Sequence, residues 1–534
     1  MSRLTPIVVI AVTGACAATA AEAREKRITP YIEVGQVLTA DLNNGSDLLT
    51  YTSVAAGVDV SLQSRRTEVQ VSYRYEHRFS ESRALADQDI HQGLARAAVR
   101  VGSGVSLEGG ALATRARSDI RGSAPGLLNG NVSNISQLYS FYAGPTIGTH
   151  IGPVGVSGGY RFGYTKVESP TIVDALAVGQ PRLDTFDSVR NHQAQLSLNL
   201  KSGAVLPVGV TVSGAFDRED GGQLRQTYEG KYGRGDVLYP VSRSLALTAG
   251  VGYENILATQ RNALFDANGQ PVLDRRGRFV TDNASAPRIA YQFDGIYYDA
   301  GVIWRPSART VVEARAGERY GSFSFTGSVN YQASRKVAVR VGVYDGVQTF
   351  GRQLRSGLSN VSTSFTPNTD PLSGNFNGCV FGAQGGAAGN CLNGVLQSIS
   401  TSVYRARGVD GVVTYTEGRT TIGFGAGYAN RRFSAPRNAG FSIDAITDES
   451  YYAQAFFAHS LDRDTTVNIN SFFNYYTSGI RGAGSIYSAG TVGSLSHNFG
   501  RLGTRASLGV YGANNGLGLR TVSLEALLGA RYSF

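Results

Sequence analysis

Methionine and tryptophan are almost missing from this chain, with one of each in 534 residues. Cysteine is scarce, at three. Charged residues make up 17%, where soluble domains carry about 25%. No stretch comes near the ~20 consecutive apolar residues that a membrane-crossing helix requires. Low charge argues against an ordinary soluble protein, and the missing apolar run excludes a helical membrane span. Glycine is plentiful at 67 residues and tyrosine at 28. Tyrosine, with abundant serine, threonine and valine, favours strands. A lipid-embedded chain without membrane helices must close its sheet, because open backbone is not tolerated in hydrocarbon.

Period-two alternation then recurs from near residue 28 to the end. Val54, Ala56, Val58, Val60 and Leu62 interleave Ala55, Gly57, Asp59 and Ser61. Val337, Val339, Val341 and Val343 interleave Ala338, Arg340 and Gly342. So many segments of this kind predict strands with one apolar face and one polar face. Connections alternate between short ones, such as 63–66, 102–104 and 306–309, and long ones near 115–135, 166–187, 257–288, 346–398 and 430–448. The expected fold is all-β: a transmembrane antiparallel up-and-down β-barrel of about 18–22 strands, best counted as about 22. Its first strand is expected near 28–41 and its last near 519–534. Short turns would face the periplasm and long loops the exterior. Trp304, Tyr239 and Tyr331 fall beside short turns, where an aromatic girdle sits at the headgroup level. A soluble β-helix would need a fixed repeat, and none is present.

Both ends of the chain fit export. Arg3, the apolar run from Ile7 to Ala15 and the small-residue pairs flanking Thr19 and Glu22 read as a secretory signal peptide over 1–23, cleaved after Ala23. Lipidation at Cys16 is the lesser alternative. The remaining 24–534 is read as a single barrel domain. At the other end Leu524, Ala526, Leu528, Ala530, Tyr532 and Phe534 share one face. Gly529, Tyr532 and the terminal Phe534 resemble the signal that outer-membrane barrels present to their assembly machinery. Leu527, where that signal usually has a polar residue, departs from it. Removing the leader leaves Cys379 and Cys391 as the only pair, and an oxidising compartment predicts a disulfide between them. Closing so short a loop is worth about 3 kcal/mol in the chain-entropy account.

Motifs for chemistry are weak. Gly155-Val156-Ser157-Gly158-Gly159 matches the spacing of a nucleophile elbow, but strand alternation continues through it with no helix after it. Asp266-Ala267-Asn268-Gly269 is a tight-turn signal without the further ligands of a calcium loop. The six histidines lack metal-ligand spacing. No catalytic residue, metal or cofactor is expected.

The lumen is more informative. Charge on a lipid-facing position costs roughly 2–4 kcal/mol near the midplane, so charged strand residues should point inward. That places Arg74, Arg96, Arg100, Arg161, Arg315 and Arg340, with Glu108 and Glu313, in the lumen as constriction candidates. They either set a transverse field for small solutes or brace the wall as ion pairs. Formal net charge is +10, which suits anionic solutes or contact with anionic lipopolysaccharide; nucleic acid is not an expected partner at such a location.

Several turns carry a resemblance. Gly301 to Thr310, Ala316 to Gly321, Tyr331 to Val337, Ile28 to Val34 and Tyr239 to Leu245 are similar to segments of the β-barrel porin 2 group. That group includes outer-membrane barrels associated with exopolysaccharide and PEP-CTERM gene clusters. The resemblance implies a Gram-negative outer-membrane channel rather than an enzyme, in contact with lipid, lipopolysaccharide and the barrel-assembly machinery. Passive passage of small hydrophilic solutes, anionic ones included, is the first expectation. A component of exopolysaccharide export, with export partners, is the second. A closed structural or adhesion barrel acting through its loops is the third. An energised receptor is not expected, since little chain precedes the first strand to form a plug domain.

Overall fold

The computed structural model describes residues 25–43, 48–81, 87–118, 135–168, 185–366, 370–372, 378–382, 388–436, 443–480, 482–514 and 520–534. The expected leader, 1–23, and the Cys16 alternative lie outside them. In chain order the strands are β1 (Glu25–Asp41), β2 (Leu48–Gln63), β3 (Thr67–Ser80), β4 (Gln88–Gly102), β5 (Val105–Arg117) and β6 (Ile135–Ile151). Then come β7 (Val154–Glu168), β8 (Ser188–Leu200), β9 (Gly209–Gly221), β10 (Thr227–Pro240), β11 (Leu245–Gln260) and β12 (Arg288–Ser307). β13 (Thr310–Arg319), β14 (Ser322–Tyr331) and β15 (Val337–Gln348) follow. Helix α1 (Phe350–Ser359), three short strands β16 (Phe365–Thr366), β17 (Cys379–Gly382) and β18 (Gly389–Cys391), and helix α2 (Asn393–Leu396) interrupt the series. It resumes with β19 (Val403–Glu417), β20 (Thr420–Ser434), β21 (Thr447–Ser460), β22 (Thr465–Ser478), β23 (Ile486–Phe499), β24 (Leu502–Asn514) and β25 (Arg520–Ser533).

Leaving out β16–β18, these strands form one 22-stranded antiparallel sheet in which sequence neighbours pair. β1 pairs with β25 from Tyr31↔Ser533 to Asp41↔Ser523, so the sheet closes on itself. Among the described residues no helix is long and apolar enough to cross a membrane; the strands make the crossing. On β25, Leu528 is 70% exposed, and Leu524, Tyr532 and Phe534 also face out. Glu525, on the opposite face, is fully buried. A strand with apolar groups outside and a carboxylate inside has only one stable register between lipid and lumen. Leu527 also points inward, where it packs with Val37, Tyr51, Leu372 and Tyr511. Its departure from the usual polar residue has a cause: it meets an apolar segment inside the barrel rather than water.

Trp304, Tyr239 and Tyr331 are exposed at the short-turn end, as an aromatic girdle requires. The long-loop end is less uniform than the sequence pattern implies. β13 and β14 are joined by Tyr320 and Gly321 alone, both at positive φ (57° and 67°), the backbone of a tight two-residue hairpin. In the 261–287 connection, Asp266 accepts from the N–H of Asn268 and of Gln270, both at 2.9 Å. Asp274 repeats the pattern with Arg276 and Arg278. The first carboxylate therefore builds a turn, and no cluster of metal-binding side chains occurs among the described residues.

At the seam, the N–H of Phe534 donates to the carbonyl of Pro30 at 3.0 Å. Deleting Phe534 is expected to cut the yield of folded barrel severalfold while leaving the melting of the folded fraction nearly unchanged. Heat-modifiable migration on gels measures both quantities; an unchanged yield would remove Phe534 from any role in assembly.

Candidate functional site

The described residues of the 349–402 connection do not stay outside as a loop; they fold into the lumen. Phe350, Leu354 and Leu358 lie four residues apart, one face of a helix. That face is buried against Leu112, Leu138, Tyr142, Val167 and Val189, which come from the inner faces of β5 to β8. The hydroxyl of Thr349 accepts from the N–H of Arg352 at 3.3 Å and caps the helix. Arg352 and Arg355 donate to the two carboxylate oxygens of Asp217 on β9 at 3.0 and 3.2 Å. Burial lowers the pKa of Arg355; in Arg352 burial is outweighed by Tyr228 and Asp217, which hold it well above the usual value. Both stay charged, as arginine does in proteins. At the other end, Arg96 donates to Val361 and Ser359 carbonyls at 2.9 and 3.3 Å, and Arg340 to Asn360 at 3.2 Å. Cations at a helix C-terminus answer both its free carbonyls and its dipole.

Beyond α1 the chain reaches β3, across the ring from β15. Gln70 exchanges two hydrogen bonds with the backbone of Phe365, and Thr363 donates to Glu68. The carbonyl of Leu372 accepts from Arg78 at 3.1 Å, and Asp370 accepts from Tyr511 on β24 at 2.7 Å. Cys379 and Cys391 form the expected disulfide across β17 and β18. Their sheet rests on β20 and β21: Phe381 meets Phe456 with ring centres 4.7 Å apart, and Gln454 accepts from the N–H of Cys379 at 3.0 Å. On the way out, Arg431 donates to the Ser398 carbonyl at 3.0 Å and pairs with Asp448, both side chains being fully buried. The loop is thus tied to opposite walls and crosses the lumen.

A Cβ on Gly425 would stand 2.8 Å from Cys379 Sγ and 3.0 Å from Cys391 Sγ. Gly425→Val should therefore push the disulfide sheet off the wall, at the about 1–3 kcal/mol typical of overpacking. The expected result is disulfide reduction faster by roughly tenfold in the folded barrel, read by thiol labelling over time.

The constriction candidates face inward but do not gather in one ring. Arg74 bonds Glu33 at 3.3 Å and also Glu76. Arg161 reaches Glu108 at 3.5 Å. Arg315 pairs with Asp236 at 2.7 Å and Asp299 at 3.3 Å, carboxylates that Arg234 also engages. Arg96 and Arg340 hold the inner loop. Arg100 is exposed at the short-turn rim, and Glu313 is half-buried on the wall opposite Ser328. Most of the set braces wall or loop. Ser157 lies in mid-strand on β7, with no helix following. Missing from the sequence reading were Asp217, Arg352, Arg355, Arg431, Asp448 and the Arg234–Asp236–Asp299 group. Only the spacing of Phe350, Leu354 and Leu358 signals α1.

No protein-family model matches the chain, and no curated protein matches its sequence. Among solved structures, the chain is similar to the FrpB iron transporter from Neisseria meningitidis (F5-1 variant). The TM-score is 0.45 at 9% identity over 96% of this chain and 83% of that one. It is also similar to the open form of the ferric-catecholate import receptor Fiu from E. coli K12, with TM-score 0.43, 11% identity and coverage of 96% and 82%. The unliganded ferric citrate transporter FecA gives 0.43, 10%, 95% and 79%. At these values the architecture rests on the strand pairing itself.

Proposed function

We propose that this chain is a non-enzymatic outer-membrane transport barrel, gated by its own inner loop, which passes small hydrophilic solutes passively when the loop yields. The observation that carries this reading is α1, held in the lumen by its apolar face on β5 to β8 and by a buried charged clamp, Arg352 and Arg355 on Asp217. Unpartnered Arg352 Nε, Arg355 Nη1 and one Glu219 oxygen are buried at the clamp. Unpaired buried groups cost about 1–3 kcal/mol each, so the closed state is held less tightly than its bond count implies. Anion steering gains little support, since most lumenal arginines already have carboxylate partners. A polymer-export route would need a lumen clear of the loop, and the anchors on opposite walls speak against it. Export by the 1–23 leader, assembly through Gly529, Tyr532 and Phe534, and lipopolysaccharide around the long loops belong to the same reading, as does the porin-group resemblance.

The test is conductance of the purified chain in planar bilayers. Brief, rare openings are expected, lengthening when the clamp is weakened. Silence from folded protein, even with the loop excised, would leave a closed barrel that acts through its exterior.

A further inference from the structure

Below the inner loop, toward the short-turn end, the lumen wall holds a cavity of about 530 Å³. Its floor is an ordered row. Ser157 on β7 pairs in register with Ser197 on β8, Ser197 with Ser213 on β9, and Ser213 with Arg234 on β10. One step along the strands, Gln195 and Tyr232 line the same cavity. In-register residues on one face of neighbouring strands stand about 4.5–5.5 Å apart at Cβ. That is close to the separation of equatorial hydroxyl groups on alternate carbons of a sugar ring. None of the three serines, nor Gln195, has a side-chain hydrogen bond among the described residues.

Charge bounds the row but is already neutralised. Arg234 is held by Asp236 at 2.7 Å and Asp299 at 2.6 Å. Arg319, the other guanidinium in the cavity lining, is held by Glu254 at 2.6 Å. Neither offers an anion a free cation, and the paired carboxylates would repel one. What remains available is a tract of neutral donors and acceptors with an aromatic edge from Tyr232.

We propose that this tract is a binding site for an uncharged polyhydroxylated solute, a saccharide of a few residues, seated between the inner loop and the short-turn mouth. It rests on the transport reading in giving the solute a route, but binding itself does not require an open gate. Hydroxyls of the solute would exchange water for the serine row and the Gln195 amide, leaving no charge to desolvate.

The experiment is saturation-transfer NMR on the detergent-solubilised barrel with raffinose, a neutral trisaccharide, against trigalacturonate, an acidic one. Transfer to raffinose and little to trigalacturonate is expected, falling at least severalfold in a Ser157→Ala/Ser197→Ala/Ser213→Ala variant that keeps heat-modifiable folding. No transfer to raffinose, stronger transfer to trigalacturonate, or an unchanged signal in the triple variant would each overturn the site. If the variant fails to fold, Gln195→Ala alone serves the same comparison. Liposome swelling in raffinose then separates the two readings. Binding without swelling, even after loop excision, overturns transport and leaves the site standing; swelling without binding does the reverse.

Discussion

Asp217→Asn should turn a rarely open barrel into one that is open most of the time. The substitution keeps the shape of the side chain and removes the only carboxylate that Arg352 and Arg355 bond among the described residues. Removing one partner of a buried ion pair costs about 3–5 kcal/mol, because the other charge stays buried and unpaired. Here the strain has an outlet: α1 can leave the wall and take both guanidiniums to water. A bias of that size shifts a two-state equilibrium by roughly a hundredfold or more. Single-channel recording should show long openings in Asp217→Asn and intermediate behaviour in Asp217→Glu. An Asp217→Asn barrel that folds, melts like the parent and opens no more often would show that the clamp is structural and the gate lies elsewhere.

Excision of 350–398, bridged by a short glycine–serine linker, has the larger expected effect. The β15–β19 ladder runs from Val337↔Tyr415 to Gln348↔Tyr404, and all its residues lie outside the excised segment. The wall should therefore remain closed. Barrels of this strand number enclose a lumen wide enough to need filling. Conductance should rise by roughly an order of magnitude over the parent's openings and lose its gating, and cells carrying the variant should admit bulky antibiotics. The apolar side chains of the buried wall, Leu138 and Val167 among them, would then face water. Some loss of thermal stability belongs to the same prediction, read by gel shift against temperature.

The wall of the barrel was legible because lipid imposes a rule: every second residue of a strand such as β15 or β25 must be apolar. Inside, no such rule applies, and that is where the reading thinned out. Arg96 and Arg100 looked equivalent at period four, yet one holds a helix and the other lies at the rim. Asp217 and Arg352 are 135 positions apart, and nothing local connects them. The connection after β15 read as an external loop because it is long and rich in glycine, serine and asparagine. The apolar spacing that marks α1 covers only ten residues. The pairing of Cys379 with Cys391 was legible because no other pair remained. That their sheet leans on Gly425 was not, since a glycine in a strand looks alike whether it faces lipid or a sulfur atom.

The joint between β1 and β25 also sets a timing problem. Every other wall strand pairs with a neighbour made just before or just after it, so most of the sheet can zip up hairpin by hairpin. Tyr31 to Asp41 are among the first residues of the wall to leave the ribosome, and their partners, Ser523 to Ser533, are the last. Until those arrive, β1 carries a row of open N–H and C=O groups, which is an invitation to foreign strands. Closure is thus the slow, non-local step in the birth of this molecule, and that first edge stays open until the final strand is in place.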